Sequence, residues 1–281
     1  MPRRKRGNRA FLFPLCLLQY VRTGIAERAG AYRVFEVSCL LIFLRKKTLA
    51  LCALGLCFAL GGMAVGLART ALPTFSSRGA QTSAVVVIDA GHGGEDGGAV
   101  AEDGTVESGI NLAIARDLEE LLRFLGCKTK MTRTEDAAIY SDGAKTLREK
   151  KSSDLKNRVA LVNETPDAVL LSIHQNSLPA SRSVHGAQAF YARTAGSEEL
   201  AEAIQCALNA AINPENEKSR KAIDKTVYLM KNINCSAVLV ECGFLSNAAE
   251  TARLQEPKHQ TRLAVAMAAG LLCGLSAQTT T

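Results

Sequence analysis

The chain has 281 residues, of which 47% are apolar, 5% aromatic and 22% charged, and its formal net charge is +7. This apolar content excludes a mainly disordered chain, because it offers enough surface to offset the conformational entropy lost on folding. Residues 1–47 hold 11 of the 34 Lys and Arg residues but 2 of the 27 Asp and Glu residues, which leaves 23 basic and 25 acidic residues for 48–281. Because the main body is slightly acidic, a nucleic-acid partner is not expected.

A membrane-targeting segment is predicted at residues 48–68, a stretch of 21 residues without a charge that directly follows three basic residues at 45–47. Its length suits a helix that spans a bilayer, and the basic residues before it predict a cytoplasmic N-terminus and an exported body. Two outcomes are open. The length favours an uncleaved anchor, whereas small residues at 66 and 68 are compatible with a cleaved signal peptide. Residues 1–47 form a basic cytoplasmic segment, and translation that starts near residue 40 is a further hypothesis.

A linker at 69–83, rich in Ser, Thr and Gly, precedes the folded domain predicted at 84–276. Strand and helix patterns alternate along this domain. Strands are predicted at 84–89, 127–132, 168–173, 187–191, 227–230 and 237–240, and helices at 106–125, 154–163, 197–211 and 257–275. This alternation predicts an α/β fold with a mostly parallel sheet covered by helices on both faces.

Residues that can bind a metal follow three of these strands. The first strand runs into His92, the third into His174 and the last into Glu241, while Glu107 opens the first helix. Because the carboxyl ends of parallel strands share one edge of a sheet, these side chains are expected to converge there. Two His and one Glu form a set that holds catalytic zinc with a fourth position for water, and a second carboxylate, Glu241, is our candidate for the general base and acid.

Each of these residues alone has a structural explanation. A single His is often a buried structural residue, and a Glu at a helix start compensates the helix dipole. Other sites are less well supported. The glycine-rich segment 91–98 lacks the Lys-Ser/Thr of a phosphate-binding loop, and no G-x-S-x-G elbow of a serine hydrolase is present. Nine cysteines without a C-x-x-C spacing favour buried thiols over a disulfide framework.

The ordered motifs carry a specific resemblance. They are Ile88-Asp-Ala-Gly-His92-Gly-Gly-Glu-Asp-Gly-Gly-Ala99, Glu107 before Asn111-Leu112, Met131-Thr-Arg133, Asn157-Arg158, Ser172-Ile-His174-Gln-Asn176 and Val240-Glu241-Cys-Gly-Phe-Leu-Ser-Asn247. Over about residues 85–275 the chain resembles the zinc-dependent N-acetylmuramoyl-L-alanine amidases of the amidase-3 type. The resemblance implies a twisted, mostly parallel sheet, zinc (Zn²⁺) held by His92, Glu107 and His174, and Glu241 as the catalytic carboxylate. It also implies cleavage, in peptidoglycan, of the amide between the lactyl group of muramic acid and L-Ala.

A finer resemblance is to the germination-specific subgroup, which trims spore-cortex peptidoglycan. Segments 153–158, 183–191 and 224–232 carry it. In that subgroup the product passes to a deacetylase that makes muramic-δ-lactam, so the resemblance implies a downstream deacetylase or an activating lipoprotein as a partner. In division-type relatives of the resembled family, an inserted segment blocks the zinc cleft. The corresponding stretch 178–184 is too short to do so, which suggests that control of activity lies in a partner or in timing.

Substrate contacts are assigned to Asn176, Arg133 and Arg158. For the two arginines, pairing with acidic side chains and contact with the glycan or peptide carboxylates are both open. Cys242 is a conceivable zinc ligand, but alternation along a strand turns it away from the side of Glu241. Two rival functions also remain: a zinc peptidase that acts elsewhere in the stem peptide, and a non-catalytic wall-binding module.

Overall fold

The computed structural model describes residues 83–278. The predicted basic segment, the membrane-targeting helix and nearly all of the linker lie outside these residues. The described chain forms six strands, namely β1 (Val85–Ala90), β2 (Lys128–Met131), β3 (Ala168–Asn176), β4 (Gln188–Tyr191), β5 (Lys221–Ala222) and β6 (Ser236–Phe244). It also forms six helices, namely α1 (Glu107–Phe124), α2 (Leu147–Asn163), α3 (Ser197–Ala211), α4 (Tyr228–Asn232), α5 (Ala248–Leu254) and α6 (Pro257–Gln278).

The strands form one sheet in the order β2-β1-β3-β6-β4-β5. β1 pairs in parallel with β2 and β3, and β3 pairs in parallel with β6, whereas β4 is antiparallel to β6. The predicted mostly parallel sheet is therefore confirmed. Its register sets His174 of β3 directly beside Glu241 of β6, so the two predicted site residues meet at the carboxyl edge.

Helices cover both faces because side chains alternate along the buried strands. Val86 and Ile88 of β1 join a core with apolar residues of α1, α3 and α6, while Val87 joins a second core with residues of α2 and α4. Asp89 has the parity of Val87 and so lies on the α2 side of the sheet. The same alternation places Ser172, His174 and Glu241 on that side.

One local prediction was wrong, and one strand was not predicted. The apolar run 227–230 is the start of helix α4 rather than a strand, since its buried residues Leu229, Met230 and Ile233 follow a helical spacing. A run this short does not distinguish the two structures. The sheet is instead extended by β5, a two-residue exposed strand whose Lys and Ala carry no apolar signal.

Helix α6 is long and apolar enough, by length and composition, to cross a membrane, and half of its most apolar stretch is buried. Leu263, Met267 and Leu271 of α6 belong to the core shared with α1 and α3. Within the described part of the chain, this helix is thus accounted for as a core helix.

Two buried arginines fasten the chain that follows β1. Arg158 of α2 donates from Nη1 to Asp89 Oδ1 at 2.7 Å and to the carbonyl of Ala90 at 2.8 Å, and from Nη2 to the carbonyl of His92 at 2.7 Å. Arg133, which follows β2, donates to the carbonyls of Ala90 and Gly91 at 2.8 and 3.1 Å. Three successive carbonyls are therefore held by guanidinium groups.

Replacing Arg158 by Met is expected to destabilise the domain by about 3–5 kcal/mol, because it leaves the buried Asp89 carboxylate without its cation. Urea unfolding followed by circular dichroism measures this change. Lys156→Met, an exposed position on the same helix, is the control and should change stability by about 0.5 kcal/mol or less. Equal losses of unfolding free energy in the two variants would contradict the stabilising role of Arg158.

Candidate metal centre

His92 stands in a backbone conformation that is unusual for a residue with a side chain, with φ of 61°. Its Nδ1 lies 3.0 Å from Asp96 Oδ2. A carboxylate on one ring nitrogen fixes the orientation of the imidazole and leaves the other nitrogen available to a metal. His92 Nε2 faces Glu107 Oε1 at 3.4 Å.

Glu107 is the first residue of α1 and is 3% exposed. Its Oε2 accepts from the amide of Ala99 at 2.8 Å, and its Oε1 accepts from Asn111 Nδ2 and from the amide of Gln175, both at 3.1 Å. Burial alone would raise the pKa of Glu107, but the hydrogen bond and charge of His174, with His92 and the Ala99 amide, lower it to about 2. The carboxylate is therefore ionised, as a metal ligand must be.

His174 completes the group, with its Nδ1 3.0 Å from Glu107 Oε1. One ligand atom from each of His92, Glu107 and His174 lies within 4.8 Å of the others. Tetrahedral zinc with ligands at about 2.0–2.2 Å separates its ligand atoms by about 3.4 Å. Glu107 Oε1 lies 3.0 Å from His174 Nδ1 and 3.4 Å from His92 Nε2, and these distances are close to that spacing. The residues present therefore suit a zinc ion.

Two glycines make room for these side chains. A Cβ atom on Gly91 would lie 2.3 Å from the ring of His174, and one on Gly98 would lie 2.5 Å from Glu107 Oε2 and 2.8 Å from His92 Cδ2. Gly98 also has φ of +75°. The glycine-rich segment 91–98 thus serves close packing around the candidate ligands.

Glu241 differs from Glu107 in its surroundings. Within residues 83–278 its Oε2 is buried and has no hydrogen-bond partner. Burial raises the pKa of Glu241 to about 7; the charge of His174 acts in the opposite direction and that of Glu107 in the same direction. A carboxyl group with a pKa near neutrality is suited to take up and release a proton.

A cleft of about 190 Å³ opens beside His92 and His174 on the α2 side of the sheet. Lys151, Leu155 and Arg158 of α2 form one wall, and residues 227–230, including Tyr228 of α4, form another. The candidate ligands are thus reachable from solvent through a cleft with one charged wall and one largely apolar wall.

The remaining sequence candidates fall in different places. Arg133 and Arg158 are 4% and 2% exposed and bind backbone carbonyls, Asp89 and Asp154; these contacts favour pairing within the protein over contact with substrate. Asn176 ends β3 and is half-buried, and its substrate contact stays a prediction. Cys242 is 1% exposed and belongs to the core on the α1 side, away from Glu241.

Sequence reasoning missed the role of Asp96. The sequence analysis does not assign it as the partner of His92. A carboxylate four residues after a predicted metal-binding His was the available signal. Lys151 was also missed, because nothing in the sequence of α2 separates it from the other lysines there.

Comparison with known proteins identifies the family of the chain. The sequence model of the family N-acetylmuramoyl-L-alanine amidase (Amidase_3) matches residues 86–273. The germination-specific N-acetylmuramoyl-L-alanine amidase of Bacillus subtilis is 34% identical over 189 residues, which are 67% of this chain and 78% of that protein.

Solved structures agree. The CwlD amidase from Clostridioides difficile, in complex with the GerS lipoprotein, is 37% identical with a TM-score of 0.66, over 69% of this chain and 98% of that one. An N-acetylmuramoyl-L-alanine amidase from Clostridium difficile 630 is 27% identical with a TM-score of 0.58, over 70% and 97%. The chain therefore belongs to the N-acetylmuramoyl-L-alanine amidases, enzymes that hydrolyse peptidoglycan.

Proposed function

We propose that the chain is a zinc-dependent amidase that cleaves the bond between the lactyl group of N-acetylmuramic acid and L-Ala. The observation that carries this proposal is the group of His92, Glu107 and His174, with Glu241 in register beside it. The Oε2 atom of Glu241 is buried and has no hydrogen-bond partner among the described residues. His92, Glu107 and His174 would hold the ion. When bound, zinc supplies Lewis-acid chemistry that activates water and polarises a carbonyl.

Glu241 acts as the proton carrier in this proposal. It takes a proton from the attacking water as the water oxygen bonds to the amide carbon. It then gives that proton to the leaving nitrogen as the carbon–nitrogen bond breaks, which frees the L-Ala amino group. The second proton of the water stays on the new lactyl carboxyl group and is lost to solvent when that group ionises. The raised pKa of Glu241 supports both halves of the transfer.

We further propose that the chain works on spore-cortex peptidoglycan, where its product leads through a deacetylase to muramic-δ-lactam. The identity with the germination-specific enzyme of Bacillus subtilis supports this role. The neighbour solved with the GerS lipoprotein supports a lipoprotein as an activating partner. Export across the membrane, with residues 48–68 as anchor or signal, follows from the site of the substrate and stays a proposal.

Digestion of purified peptidoglycan tests the bond that is cut. The wild-type protein should release intact peptides that begin with L-Ala and leave muramic acid without peptide, because the proposed target is the first amide bond. Mass spectrometry of the products measures this. Fragments cut within the stem peptide would instead indicate the rival peptidase, and no soluble product would indicate a wall-binding module.

Glu241→Gln should lower the turnover rate by about 10²–10⁴-fold, because the amide cannot carry the proton, while zinc content stays near that of the wild type. Product release and metal analysis of the same preparation measure the two effects. Near-normal turnover by this variant would refute the role of Glu241.

Gly98→Ala should weaken zinc binding at least tenfold, because the added methyl group meets two of the three candidate ligands and the residue has a left-handed backbone. Competition with a chromogenic chelator measures the affinity. Gly109→Ala is the matched control, since its Cβ meets no atom within 4 Å. Equal affinities of the two variants would argue against the assigned ligands.

A further inference from the structure

Two clefts lie at the edge of the sheet that carries the candidate metal centre. The first, here the lysine cleft, is the 190 Å³ cleft that Lys151 borders beside His92 and His174. The second, here the acidic cleft, has about 300 Å³ and is lined in part by Glu102, Asp103, Ser177 and Ser246. Val100 also lines the acidic cleft, and the residue before it, Ala99, donates its amide to Glu107.

Lys151 is the cation of the lysine cleft that retains donors for a ligand. Arg158 also borders the cleft, but it is 2% exposed and its guanidinium binds Asp89, Asp154 and two backbone carbonyls. The Lys151 side chain is 54% exposed, and its Nζ lies 3.0 and 3.2 Å from the two oxygens of Asp96. An ammonium group has three donors, so at least one remains for a group in the cleft.

Carboxylates also border the lysine cleft, but each has a cation there: Asp89 and Asp154 pair with Arg158, and Asp96 pairs with Lys151. The acidic cleft differs, because one of its carboxylates forms no ion pair among the described residues. Glu102 pairs there with Arg182 at 2.6 Å, while Asp103 accepts from Gln255 at 3.1 Å. Its acidic side chains outnumber the single cation among its lining residues. A carboxylate of a substrate would be repelled by this cleft and attracted by Lys151.

We propose that Lys151 is a specificity-determining residue that binds a carboxylate of the stem peptide. The peptide arm of the substrate then lies in the lysine cleft, and the uncharged glycan arm extends toward the acidic cleft. This inference rests on the proposed amidase function and adds the direction in which the substrate crosses the metal centre.

A positioning role is the competing explanation, because Asp96 also binds His92. If Lys151 acted only through Asp96, its loss would disturb the metal centre and slow every substrate alike. A carboxylate contact predicts a loss confined to substrates that carry the carboxylate.

The test uses the full chain with zinc and two muramoyl peptides that differ only in whether the peptide carboxylates are free or converted to primary amides. Lys151→Gln should raise KM about tenfold for the free acid and change KM for the amide less than twofold, with kcat and zinc affinity near those of the wild type. Lys151→Arg should keep the KM for the free acid close to that of the wild type. Lys156→Gln removes an exposed lysine of the same helix that does not border the cleft, and should change neither substrate.

Equal effects of Lys151→Gln on the two substrates, or a matching effect of Lys156→Gln, would overturn the proposal while the amidase function stands. A fall in zinc affinity with a fall in kcat on both substrates would identify the positioning role instead. If the wild type cleaves neither peptide, the amidase proposal itself fails, which separates the two failures.

Discussion

The candidate metal centre depends on how two guanidinium groups hold the carbonyls that follow β1. Arg133 and Arg158 together bind the carbonyls of Ala90, Gly91 and His92. Hydrogen bonds to charged donors contribute about 1.5–3 kcal/mol each. Such contacts can keep His92 in its left-handed conformation, which an L residue adopts at a cost. The orientation of His92, a candidate metal ligand, thus follows from contacts outside the candidate metal centre.

Burying two cations so close together requires compensation. Burial and the charge of Arg158 lower the pKa of Arg133. Asp89 balances the pair: burial would raise its pKa, but Arg158, His174 and a hydrogen bond from Ser172 lower it to about 2. Asp154, one turn before Arg158 on α2, adds a second carboxylate at 2.7 Å. Asp89, the residue before the last of β1, therefore helps to support the candidate metal centre.

Much of the site could be predicted from sequence because it follows from the topology of a parallel sheet. His174 and Glu241 lie near the carboxyl ends of neighbouring strands, so their proximity could be predicted from the strand assignments alone. Pairing with acidic side chains, one of the two alternatives for the arginines, is what Arg158 does with Asp89 and Asp154. The contacts of Arg133 and Arg158 with backbone carbonyls could not be predicted, since those carbonyls lie 42 to 68 residues away and a carbonyl has no sequence signature. The direction of β4 and the helix α4 were also beyond short apolar patterns, which do not encode the pairing partner.

The two glutamates of the centre show how one residue type serves two purposes. Glu107 accepts hydrogen bonds from two backbone amides and from Asn111, and with the charges of two histidines these keep it ionised. Glu241, within the described chain, has a buried oxygen without such a donor, and its pKa lies near neutrality. Environments that separate the pKa values of paired carboxyl groups divide their roles. Donors supplied by the fold therefore keep Glu107 ionised, as the proposed metal ligand must be. Burial, with one oxygen left without a donor, instead gives Glu241 the near-neutral pKa that suits the proposed proton carrier.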